Sequence, residues 1–162
     1  MKYFLKTKKL YFVAIFFLVF LLDRLSKFYI LNLAERGDVD IYINTYINFY
    51  LIWNKGVAFG LLSSDENYLY SIVTALIIII NLIIIYFIFI TKDFRAYFFL
   101  IILGGSFGNL YDRLFYKAVP DFIDLHIGDF HWFIFNVADI FISLGVICLI
   151  FVEIFFNKNL TK

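Results

Sequence analysis

The stretch 68–90 is a 23-residue run in which Asn81 is the one strongly polar side chain, and this limits the fold more than any other feature. A helix rises 1.5 Å per residue, so about 20 apolar residues cross the roughly 30 Å hydrocarbon core of a bilayer. Three further apolar segments are readable, at 10–33, 96–111 and 137–156. The first is interrupted by Asp23, Arg24 and Lys27, the third is short and carries Gly104, Gly105 and Gly108, and the fourth begins beside Asp139. Composition agrees: 64% of the 162 residues are hydrophobic and mean hydropathy is +0.90, where a soluble domain is about half apolar. The expectation is one α-helical membrane domain over 1–162, with four transmembrane helices.

The start is basic, with Lys2, Lys6, Lys8 and Lys9 before an apolar run. Asp23-Arg24 follows that run in place of a small-residue cleavage site, which predicts a retained helix rather than a removed leader. Lys92, Arg95, Lys158 and Lys162 fall on the same side as those lysines, while Glu35, Asp38, Asp40, Asp65 and Glu66 fall on the other. The positive-inside rule then places both termini in the cytoplasm. Between the first two helices, residues 40–60 alternate β-branched and aromatic residues with polar ones. That pattern predicts a small extracytoplasmic β-sheet, with Tyr46, Tyr50 and Trp53 as an interfacial aromatic belt. Asp121 is expected in the external loop 112–134.

Net charge is +1, which argues against a nucleic-acid partner. Cys148 is the single cysteine and lies in an apolar run, so packing is expected of it. His126 and His131 have no cysteine partners and no H-E-x-x-H spacing, so neither a metal site nor a cofactor is expected.

The carboxylates are the candidates for chemistry. Each costs about 2.5–3.5 kcal/mol at the centre of a bilayer on insertion scales, so it marks a functional site by default. Asn109 and Asp112, and again Asn136 and Asp139, form two Asn-x-x-Asp motifs at segment ends. Asp139 reads equally as a helix-capping residue with Asn136 and as a catalytic acid. Asp112 reads as the partner of Arg113 or Lys117. Asp23 and Lys27, four apart, read as an intrahelical pair. Gly104, Gly105, Ser106 and Gly108 read as a close-packing face, smooth enough to serve a substrate helix as well. Asn54, before Gly56, reads as a turn residue. If Asp121 and Asp139 approach, one of them must hold a proton, as in an aspartic-protease dyad.

The blocks D-R-L-S-K (23–27), N-K-G-V-A-F-G (54–60), G-G-S-F-G-N-L-Y-D-R (104–113), V-P-D-F (119–122) and F-N-V-A-D (135–139) occur in this order. Together they resemble the conserved blocks of bacterial lipoprotein signal peptidases (signal peptidase II), over essentially the whole chain. The resemblance implies an intramembrane aspartic endopeptidase of the bacterial inner membrane, a monomer without a cofactor. Its implied substrates are diacylglyceryl-modified prolipoproteins, cut just before the modified cysteine, and its implied inhibitor is globomycin. It implies Asp121 and Asp139 as the catalytic pair. Asn54, Asn109, Arg113 and Asn136 would line the substrate site, with Asp23, Lys27, Asp112, Gly105 and Gly108 in support. Pro120 departs from the valine common in that family and raises the prospect of an altered approach of Asp121. The competing reading is a non-enzymatic lipid-binding or proton-coupled transport protein, since intramembrane acids also relay protons.

Overall fold

The structure is a computed structural model that describes residues 2–37, 39–56 and 66–156. Asp38, Asp65, Lys158, Lys162 and the second half of the N-K-G-V-A-F-G block, from Val57 on, lie outside the described residues. The elements in chain order are α1 (Lys2–Ala34), β1 (Asp40–Asn44), β2 (Ile47–Asn54), α2 (Glu66–Ile90), α3 (Arg95–Tyr116), β3 (Val119–Ile127), β4 (Phe130–Phe135) and α4 (Val137–Phe156). Within α2 and α4, Tyr70–Ile90 and Val137–Phe155 are long and apolar enough to cross a membrane. Their outward side chains, among them Leu82, Phe89, Ile147 and Phe155, are exposed aliphatic and aromatic groups.

The helix α3 packs against each of the other three helices. Its glycines make that possible. A Cβ on Gly105 would sit 2.6 Å from the Ala138 carbonyl oxygen of α4, and one on Gly108 would sit 2.4 Å from Asp23 Oδ2 of α1. The small-residue face is therefore filled by the protein's own α1 and α4, which leaves no smooth groove there for a substrate helix. An apolar cluster of Ile84, Ile88, Leu100, Ile102 and Leu103 joins α2 to α3.

Two boundaries extend past the apolar segments. The helix α1 begins at Lys2, because helical hydrogen bonding does not end where apolar character does. The helix α3 runs on to Tyr116, through Asp112 and Arg113, which are buried by neighbouring helices rather than by lipid. It stops at Lys117, whose φ of 60° is left-handed, a common helix terminus.

The sheet is larger than 40–60 alone. Its four antiparallel strands run in the order β1-β2-β3-β4, so half of it comes from the segment between α3 and α4. Asp121 is thus a strand residue, paired in register with Ile52, and not a loop residue. Phe122 packs with Ile30 and Val39, which fixes β3 against the end of α1. Pro120 is fully buried at the second position of β3, opposite Trp53. A missing N–H is tolerated at the start of a strand, and β3 continues through it. Tyr46, Tyr50 and Trp53 are exposed.

Candidate active site

At the junction of α1, α3, α4, β2 and β3 lie four carboxylates in two unlike surroundings. Asp23 and Asp112, both fully buried, face cations. Arg24 donates to both oxygens of Asp112 at 2.6 and 2.8 Å and to Asp23 at 2.7 Å. Lys27 Nζ lies 2.9 Å from Asp23 and 2.7 Å from Asp112. Two acids and two bases form a neutral cluster between α1 and α3. Mutual neutralisation is what makes charges tolerable where water is absent.

This corrects the expected partner of Asp112. Its partners are Arg24 and Lys27, not Arg113 or Lys117. Successive helix residues point about 100° apart, so Asp112 and Arg113 cannot share a face. Asp112 turns to α1. Arg113 turns to the other side, where its guanidinium lies beside Gly56 and Val73, and Tyr70 donates to its backbone carbonyl at 2.5 Å. Among the described residues Arg113 Nε is buried without a partner. Asp23 and Lys27 do pair within α1, but as half of a cluster that also needs Arg24. Arg24 and Tyr70 are the two site-forming residues that sequence reasoning did not single out. A second charge beside Asp23 in an apolar run was the available signal for Arg24.

Asp121 and Asp139 are held by asparagines instead. Lys27 donates to Asn109 Oδ1 at 2.8 Å, which fixes that amide so that its Nδ2 donates to Asp139 Oδ1 at 2.8 Å. The Asn136 N–H donates to Asp139 Oδ2 at 3.1 Å, and the Asp139 N–H returns a bond to Asn136 Oδ1 at 3.2 Å. That reciprocal pair caps the first turn of α4. Asn136 Nδ2 donates to Asp121 Oδ1 at 2.6 Å, and Asn54 Nδ2 donates to Asp121 Oδ2 at 2.8 Å. Asn54 is also the expected turn residue, since its Oδ1 accepts from the Gly56 N–H at 2.7 Å. Pro120 therefore leaves Asp121 with both amide donors.

The cap and the acid at Asp139 are compatible: one oxygen closes the helix turn and the other takes the Asn109 amide. Asp23 adds the last brace by accepting from the Ala138 N–H at 3.1 Å, which ties α4 to α1 one residue before Asp139. Burial pushes the Asp121 carboxyl above its ordinary value of 3.8. The Asn136 and Asn54 amides oppose that rise and the nearby Asp139 charge adds to it.

Residues 15–156 match the family model described as signal peptidase (SPase) II. The chain belongs to the signal peptidase II family. It is 54% identical over 151 residues to the lipoprotein signal peptidase of Pelagibacter ubique (strain HTCC1062), covering 93% of this chain and 91% of that one. It is 41% identical to the lipoprotein signal peptidase of Aquifex aeolicus (strain VF5), over 100% and 96% of the two chains. Among solved structures, a bacterial membrane enzyme determined in meso at 2.3 Å superposes with a TM-score of 0.73 at 26% identity, over 93% of this chain and 92% of that one. A second, determined at 1.9 Å, gives a TM-score of 0.70 at 29% identity, over 87% and 90%. Of the four carboxylates at the junction, Asp121 and Asp139 are the two held by asparagine amides.

Proposed function

We propose that Asp121 and Asp139 hydrolyse the signal peptide of prolipoproteins just before a diacylglyceryl-modified cysteine. Family membership makes the chain an aspartic-type signal peptidase acting on prolipoproteins. The observation that carries the assignment of the pair is Asn136, which holds both carboxylates at once. Asp23 and Asp112 are instead engaged by Arg24 and Lys27.

In this reading the pair shares one proton, held at the outset on Asp121. Asp139 takes a proton from water as that water attacks the scissile carbonyl carbon. Asp121 protonates the carbonyl oxygen, and the proton on Asp139 later passes to the leaving amide nitrogen. As the C–N bond breaks, one hydroxyl of the gem-diol gives its proton to Asp121, which restores the starting pair and releases the two products. Asn54 and Asn109 orient the carboxylates, while Arg113, with an unpartnered Nε, donates to substrate carbonyls.

Four spans, a sheet on the extracytoplasmic side and cytoplasmic termini complete the reading, in one domain acting as a monomer in the bacterial inner membrane. Supporting it, Lys92 follows α2 and Arg95 opens α3, at the helix ends away from those that lead into the sheet. The exposed Tyr46, Tyr50 and Trp53 suit a lipid headgroup region. The transport alternative is not favoured.

The test uses the purified protein in lipid nanodiscs with a diacylglyceryl-modified prolipoprotein. Asp139→Asn and Asp121→Asn should each remove cleavage, leaving folding and globomycin binding measurable. Full turnover by a folded Asp139→Asn protein refutes the pair.

A further inference from the structure

We propose that Asp124, His126 and His131 form a site for a divalent transition-metal ion of the zinc class, outside the catalytic centre, that ties β3 to β4. The three side chains each offer one ligand atom, and these atoms all lie within 4.8 Å of one another. Strand pairing assembles them. Asp124 and His126 are two apart on β3 and share a face, and His131 of β4 lies directly across from His126.

The distances suit a shared ion. Two ligands of a tetrahedral zinc at about 2.0–2.1 Å are held about 3.3 Å from each other. His131 Nδ1 is 2.8 Å from Asp124 Oδ2, and His126 Nδ1 is 3.4 Å from the same oxygen. Small side-chain rotations open a common position between them. Two imidazoles and one carboxylate are a donor set that zinc-class ions take readily.

An independent observation points to a ligand. His126 is 9% exposed, and its Nδ1 is buried with no hydrogen-bond partner. That nitrogen is turned toward Asp124 without bonding to it. Across the sheet, Asn48 of β2 is the register partner of Asp124, and its Oδ1 is likewise buried and unpartnered. Directly opposite residues share a face, so two orphaned polar atoms flank one buried carboxylate. One ring N–H satisfies the His131–Asp124 contact alone; a metal ion satisfies the orphaned His126 nitrogen as well. His131 has a side chain 55% exposed, which leaves an approach for the ion and for a water ligand.

The position has a mechanical consequence. Asp121 lies three residues before Asp124 on β3, and β4 leads directly into Asn136. An ion bridging the two strands braces the hairpin that delivers both residues.

The experiment is zinc titration of the chelator-stripped full-length protein in detergent, by calorimetry and by thermal unfolding, with cobalt(II) absorption as the spectroscopic probe. Expected are one zinc per chain, a rise in Tm, and cobalt bands of a nitrogen–oxygen site. The half-exposed His131→Ala should weaken zinc binding at least tenfold and abolish the Tm rise while staying folded. His126→Gln should do the same. Absence of zinc binding by the folded wild-type chain, or binding undiminished in His131→Ala, overturns the site. The readout is independent of cleavage, so its outcome leaves the assignment of the catalytic pair to its own test.

Discussion

The side-chain amide of Asn136 lies 2.6 Å from Asp121, while the same residue's backbone N–H lies 3.1 Å from Asp139. One buried asparagine therefore sets the geometry of both acids. Asn136→Ala should lower kcat by at least about 100-fold, the scale of losing one preorganised donor. Stability should fall by about 1–3 kcal/mol through the unpaired groups left behind. Cleavage rate and chemical denaturation on one preparation check both; a variant with wild-type kcat removes Asn136 from the centre.

Asp112 and Arg113 are neighbours with opposite duties, and substitutions should separate them. Asp112→Ala leaves Arg24 and Lys27 short of a counter-ion in a dry interface, at a cost of roughly 3–5 kcal/mol. Arg113→Ala should raise KM severalfold with little change in Tm. Thermal unfolding together with steady-state kinetics distinguishes them, and a large Tm loss in Arg113→Ala alone contradicts the division.

Asp121 gives a signed pH dependence. Its carboxyl binds its proton more tightly in the folded state than at the ordinary value of 3.8. The folded state therefore holds more protons than the unfolded chain above that pH. Its contribution is fully present at low pH. It declines as pH rises through 3.8 toward the raised folded value and is flat beyond. Measured as Tm against pH, the wild type should lose stability relative to Asp121→Asn over that window. A gain over the same window reverses the sign and rejects the assignment.

Gly105 tests the helix packing. A methyl there meets the backbone carbonyl of Ala138 at 2.6 Å, and backbone cannot swing aside as a side-chain tip can. Gly105→Ala should cost about 1–3 kcal/mol, in the range of overpacking. It should also lower kcat, since Ala138 immediately precedes Asp139. A variant as stable and active as wild type shows that α3 and α4 separate without cost.

Much of this was written in the chain. Apolar runs marked α2 and α4 to within two residues, because lipid-facing helices are apolar on nearly every side. They undercounted α1 at its N-terminus, where the helix continues through polar sequence, and α3 at its C-terminus, where Asp112 and Arg113 are buried against protein. The first half of the sheet was visible as alternation from Ile41 to Trp53. The second half was hidden behind Pro120, Asp121 and Asp124, although Asp124, Leu125, His126 and Ile127 alternate as a strand does.

By itself the sequence determined the inventory: helices long enough for a bilayer, acids too costly to be idle, glycines where helices must touch, and the family to which the blocks point. Only the tertiary structure decided the partners. Which acids meet cations and which meet amides depends on helix faces and strand register, brought together across 84 to 115 positions of chain at Arg24 with Gly108 and Asp23 with Ala138. Local spacing cannot encode a choice of that kind, because adjacent residues such as Asp112 and Arg113 point to different neighbours once the helix forms.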